Sequence, residues 1–219
     1  MRNEFNSQLK ELHQEIYQMG ALCEEAISTA VKAFVNRDQE LSIRTAQIES
    51  KIDRKNQDIE NLCLRLLLLQ TPIASDLRHV STALHIINDM ERIGDQAADI
   101  AELAPFITSE PANIEKSINS MGEDVVSMVS GAVDAFLDRD VKHAELIIQD
   151  DDTVDSWFSL IRKDLIQEII KPNVTEKESE TFVNLLMIDK YLERIGDHTV
   201  NIAEWVRWSE EGKLFQSHE

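Results

Sequence analysis

Glu91-Arg92-Ile93-Gly94-Asp95 and Glu193-Arg194-Ile195-Gly196-Asp197 are the same five residues written twice, at an offset of 102 (193 minus 91). Each copy runs on alike, into Asp99-Ile100-Ala101-Glu102 and Asn201-Ile202-Ala203-Glu204. On a helix at ~100° per residue, Glu91, Asp95, Asp99 and Glu102 fall within an arc of roughly 80°. Ile86, Met90, Ile93, Ala97, Ile100 and Ala104 gather on the opposite side. The stretch predicts a helix with an apolar face for a core and a carboxylate stripe facing away from it.

The same offset persists outside this stretch. Met19-Gly20 matches Met121-Gly122, Ala30-Val31 matches Ala132-Val133, and Ala33-Phe34 matches Ala135-Phe136. Arg37-Asp38 returns as Arg139-Asp140, and Asp53 as Asp155. No gap is needed, so the chain is a tandem duplication of a unit of about a hundred residues.

Within each unit the apolar spacing is helical throughout. Segments near 3–36, 39–70 and 73–104 are matched by segments near 112–138, 141–171 and 175–209. Pro72, Pro105, Pro111 and Pro172 all fall between segments, where a helix ends or begins. Asp38 and Asp140 stand where each can cap the helix that follows. The fold predicted is all-α: two tandem, pseudo-symmetric antiparallel three-helix bundles, residues 1–107 and 108–219, with short turns forcing neighbours antiparallel.

Composition narrows the function. The chain has 219 residues, 42% of them hydrophobic, with only 6 Gly and 4 Pro, as expected of a globular helical protein. A net charge of −19 makes nucleic acid a poor partner, because phosphate contacts need clustered Lys and Arg. The longest apolar run, Leu62 to Leu69, carries Arg65 and is far short of the ~20 residues that span a bilayer. With no signal-peptide pattern at the start, a cytoplasmic location is expected. Cys23 and Cys63 align with Val125 and Leu165, which points to buried apolar positions rather than thiol chemistry.

Folding the hairpins brings carboxylates together. A turn near Thr71-Pro72 sets Glu49 and Asp53 beside Glu91 and Asp95. A turn near Pro172-Asn173 sets Asp151 and Asp155 beside Glu193 and Asp197. Crowded carboxylates raise one another's pKa and destabilise the fold, and a bound cation reverses that. Oxygen-only ligation suits hard ions such as Mg, Ca, Mn or Fe. Asn201 replaces Asp99 and Asp151 replaces Glu49, so the two sites need not bind equally. A solvated acidic face is the bland alternative, weakened by the facing pairs recurring in both units. Gly94 and Gly196, each costing about 1 kcal/mol inside a helix, imply close packing against a neighbouring helix or a bound cluster. Arg92 and Arg194 are expected to pair with nearby carboxylates, and His198 to lie on the surface.

These residues resemble the PhoU family of bacterial phosphate-specific transport accessory proteins. The most specific matches are Glu91 to Glu102, Glu193 to Glu204, and Gln70-Thr71-Pro72-Ile73-Ala74-Ser75-Asp76-Leu77-Arg78. The resemblance implies two similar three-helix bundles whose E/DxxxD motifs bind multinuclear iron or other metals on the surface. Here those motifs are Glu49/Asp53, Glu91/Asp95, Asp151/Asp155 and Glu193/Asp197, with Asp99 and Asn201 as further ligands. Iron is the first ion it implies, with Mn, Zn, Mg or Ca as alternatives.

The same resemblance implies a negative regulator of phosphate uptake and of the phosphate-starvation response. It also implies a link between the phosphate ABC transporter ATPase and the sensor histidine kinase, with a homodimer as the expected assembly. Two other readings stand beside it. One is a carboxylate-bridged metalloenzyme, against which weigh the missing Glu-x-x-His pair and the outward-facing stripe. The other is a metal-free helical scaffold.

Overall fold

The computed structural model describes residues 2–69, 74–108 and 111–212. Six long helices follow one another: α1 Arg2–Asn36, α2 Gln39–Leu69, α3 Ala74–Leu103, α4 Ala112–Asp138, α5 Val141–Ile169 and α6 Glu176–Glu211. A 3-10 turn, Ala104–Phe106, follows α3 with Pro105 in its first turn. No strand occurs among the described residues. The expected Thr71-Pro72 turn, and residues Gln70 to Ile73 of the third motif, lie outside the described residues.

The helix junctions repeat as the sequence does. Arg37 and Arg139 both adopt the left-handed conformation, with φ of 54° and 56°, and end α1 and α4. Asp38 Oδ1 then accepts from the Glu40 amide at 2.9 Å, and Asp140 Oδ1 from the Lys142 and His143 amides at 3.0 and 3.1 Å. Each Arg-Asp pair is thus a stop followed by a start. Thr175 begins α6 with a capping box: its Oγ1 accepts from the Glu178 amide, and the Glu178 carboxylate accepts from the Thr175 amide at 2.8 Å.

Helices α1 to α3 form one bundle and α4 to α6 the other. The bundles meet along two seams, α1 against α4 and α3 against α6, while α2 and α5 pack within their own bundles. Both seams are antiparallel. Gly20 meets Val133 and Gly122 meets Val31 in the first. Arg78 meets Ser209 and Asp89 meets His198 in the second. Phe34 and Phe136, one offset apart, are both essentially fully buried.

The two bundles share one continuous apolar core. Cys23, Cys63, Val125 and Leu165 are all inside it, as expected of small apolar positions. Burial pushes the Cys63 thiol up to about 12, so it stays protonated and inert.

Candidate functional site

The carboxylate stripes lie on the outer edges where α2 meets α3 and α5 meets α6. The two copies differ in detail. In the first bundle Glu49 and Asp53 of α2 converge with Asp95 of α3, with one oxygen from each lying within 4.8 Å of the others. Among the described residues this is the one such trio. All three are half-buried. A single hard cation with oxygens at about 2.0–2.6 Å fits that span.

Glu91, expected as the fourth ligand, does not join them. Its Oε2 accepts instead from Asn56 Nδ2 at 2.6 Å. The reason is register. Gly94 packs on Ile52 and Glu91 meets Asn56, so α3 sits nearly one turn further along α2 than counting from Pro72 predicts. Asp95 therefore lands between Glu49 and Asp53, and Glu91 falls beyond both.

In the second bundle Asp151, Asp155, Glu193 and Asp197 face one another without converging as tightly. Burial first, then the charges of Asp155, Asp197 and Glu193, push the Asp151 carboxyl up to about 6. Asp197 is raised for the same reasons, burial ahead of Glu193. In the first bundle Glu49 is raised by burial, then by Asp53. Each site thus holds a partly buried carboxylate, Glu49 or Asp151, that its acidic neighbours repel, the condition a cation relieves.

Basic partners stand beside both clusters. Arg92 Nη1 donates to Asp95 at 3.1 Å, as expected of that arginine, and the Lys190 ammonium bonds Glu193. The Arg92 side chain is 63% exposed and can swing away, so its pair contributes little.

Asp99 and Asn201, expected to extend the stripes, turn towards the α3–α6 seam. Asn201 Nδ2 donates to Asp89 Oδ1 at 3.2 Å, across the bundles. Asp99 is raised by burial, then by Glu102 and Asp95, while Arg194 from α6 acts in the opposite sense. His198 is not a free surface histidine: it is half-buried, with Nδ1 2.9 Å from Asp89 Oδ1. The two glycines also divide. A β-carbon on Gly94 would meet Ile52, whereas one on Gly196 would meet the Asp151 carboxylate and Val154.

One residue went unread in the sequence. Asp189 of α6 is fully buried, and neither of its carboxylate oxygens has a hydrogen-bond partner. Burial, followed by the Glu193 charge, raises it to about 8. Its counterpart one offset earlier is Ile87, so comparing the two copies position by position was the available signal. The donor set of the first bundle fits a hard metal ion, since it offers three convergent, half-buried carboxylates and only oxygen ligands.

The PhoU domain model matches residues 16–104 and 118–206, one match per bundle. The chain belongs to the PhoU family.

A phosphate-specific transport system accessory protein PhoU homolog of Clostridium acetobutylicum is 35% identical over 93% of this chain and 92% of its own. One from Synechocystis is 32% identical over 97% of this chain and 93% of its own. Among solved structures, PhoU from Pseudomonas aeruginosa superposes with a TM-score of 0.88 at 30% identity, covering 95% of this chain and 100% of that one. The phosphate transport system regulatory protein PhoU from Streptococcus pneumoniae also gives 0.88 at 30% identity, over 97% and 99%. The six-helix, two-bundle arrangement is thus the PhoU fold. No helix among the described residues is long and apolar enough to cross a membrane.

Proposed function

We propose that this PhoU-family chain is a non-enzymatic regulator of phosphate transport that holds hard cations on carboxylates at the edge of each bundle. Its family membership supports the regulatory part. Relatives named as phosphate-specific transport accessory proteins match it over nearly the whole of both chains. The observation that carries the metal part is the Glu49/Asp53/Asp95 trio, three carboxylates held within a cation's reach of one another. Glu49, Asp53 and Asp95 would hold the ion at the surface, where it would neutralise their charge and could attract phosphate or a protein carboxylate. In this reading the chain works in the cytoplasm as a homodimer. It docks on the phosphate transporter ATPase and on the sensor histidine kinase, and it restrains uptake and the starvation response when phosphate is plentiful.

Two measurements test this. Cells lacking the protein should take up excess phosphate and express starvation genes in rich medium, and the wild-type chain should restore control. Normal uptake and normal expression in the deletion strain would remove the regulatory reading. Protein purified without added metal should carry iron or manganese by elemental analysis. Equal metal in wild type and in a Glu49→Ala/Asp53→Ala/Asp95→Ala variant, after loading, would remove the metal reading.

A further inference from the structure

Between α1 and α2 of the first bundle runs a groove of about 590 Å3, lined by Glu11 and Glu15 of α1 and by Asp58, Asn61, Leu62 and Arg65 of α2. The Glu49/Asp53/Asp95 trio lies elsewhere, where α2 meets α3. Leu62 is 2% exposed and gives the groove an apolar floor. One turn on from Asn61 and Arg65, Leu64 and Leu68 stand out from α2 as an i, i+4 pair, 43% and 81% exposed.

The chain's own lysine marks what this groove accepts. At one end Lys55 Nζ donates to Glu15 at 2.7 Å and to Gln18 Oε1 at 2.8 Å. Further along, Glu11 and Asp58 pair with no base among the described residues. Gln8 shares a face of α1 with Glu11 and Glu15, three and seven residues on, and its amide oxygen is buried without a hydrogen-bond partner. Free carboxylates and an unsatisfied acceptor beside a leucine floor suit donors carried on aliphatic stems, as in lysine and arginine.

The second bundle is a built-in comparison. One offset on, Glu11, Glu15, Asp58 and Asn61 become Asn113, Ser117, Leu160 and Lys163. There Asn113 Nδ2 donates to Asp164 Oδ2 at 2.9 Å and ties α4 to α5. The exposed aliphatic pair persists as Ile166 and Ile170. The acids of the groove therefore belong to the first bundle alone and do not follow from the shared helical pattern.

We propose that the α1–α2 groove docks a basic amphipathic helix of a partner protein. The helix sets lysine or arginine side chains on Glu11 and Asp58 and apolar ones on Leu62, Leu64 and Leu68. Charge selects this occupant over a second copy, because a chain of net charge −19 repels itself and attracts a basic segment. Arg65 stands about two turns beyond Asp58 on α2, so the partner's basic residues sit towards the Glu11 end. This contact is independent of the cation reading.

The test uses the full chain, with chelator present, and two labelled peptides of identical composition. One peptide places lysines at three- and four-residue steps beside a leucine face, and the other has the same residues scrambled. By fluorescence anisotropy the amphipathic peptide should bind about tenfold more tightly than the scrambled one. Glu11→Gln/Asp58→Asn and Leu64→Ser/Leu68→Ser should each weaken it by about tenfold. Glu145→Gln/Glu180→Gln, which removes the same charge from the second bundle, should leave it unchanged. All six positions are exposed, so circular dichroism should show the fold intact in each variant.

No saturable binding, equal affinity for the two peptides, or equal loss in all three variants would overturn the proposal and leave only attraction by net charge. Loss in the carboxylate variant alone would mean a site for simple polycations and no helix groove. A groove variant that alters the protein's sedimentation while peptide affinity stays unchanged would make the occupant a second copy, and the proposal would fail.

Discussion

Gly196 faces Asp151 so closely that a β-carbon there would stand 2.8 Å from Asp151 Oδ1. The glycine of the repeated motif is thus part of the carboxylate site in the second bundle. In the first bundle Gly94 serves helix packing, with Ile52 Cδ1 at 3.0 Å from the same hypothetical atom.

The two glycines should therefore respond differently to alanine. Gly196→Ala displaces the Asp151 carboxylate and should weaken Mn2+ binding at the second bundle by about tenfold. Alanine's better helix propensity, ~1 kcal/mol, keeps overall stability near wild type. Gly94→Ala overpacks against Ile52 and should lose up to about 2 kcal/mol in urea unfolding, with the second-bundle affinity unchanged. The same pattern of binding and stability in both variants would contradict this division.

The seam between α1 and α4 depends on two reciprocal contacts. A β-carbon on Gly20 would lie 2.9 Å from Val133 Cγ2, and one on Gly122 would lie 2.8 Å from Val31 Cγ2. Gly20→Ala should cost about 1–3 kcal/mol. Adding Val133→Ala should restore part of it, giving a coupling above ~0.5 kcal/mol in a double-mutant cycle. Strict additivity would mean that the bundles separate without loss at this point.

His79 stacks on Phe136 at 4.5 Å, and its Nε2 lies 2.7 Å from His13 Nε2. Burial, then Arg139 and His13, lowers its pKa to about 3. Below pH 6.5 the unfolded chain takes up a proton that the folded one refuses. The stability this histidine contributes is therefore complete above pH 6.5 and is lost as pH falls towards 3. Between pH 6.5 and 4.5 wild type should lose about 2 kcal/mol more than His79→Gln. Parallel pH profiles of the two proteins in guanidinium unfolding would rule this out.

Arg78, the last residue of the Gln70–Arg78 motif, donates from Nε to the Ser209 carbonyl at 2.9 Å, closing the α3–α6 seam. Removing this charge-assisted bond in Arg78→Ala should cost about 1.5–3 kcal/mol. Hydrogen exchange should rise near the end of α6, and Arg78→Lys should rescue little, since one ammonium replaces a planar fork. Unchanged exchange at residues 205–211 would show that other contacts hold the seam.

Much of this molecule is legible in one dimension. The 102-residue offset, the three- and four-residue apolar steps and the Arg-Asp junctions fix six helices and two equivalent bundles, because helix periodicity and capping are local properties of the chain. The facing of Glu49 and Asp53 with Asp95 also followed from hairpin counting.

What only the tertiary structure decided lies between helices. A shift of less than one turn along α2 moved Glu91 onto Asn56 and out of the cluster. The α3–α6 seam turned Asn201 and His198 towards Asp89, since the pairing of separate bundles leaves no mark on either helix's own period. Asp189 shows the limit most clearly: its place four residues before Glu193 is plain in the sequence, but burial without a partner is a property of the surrounding helices.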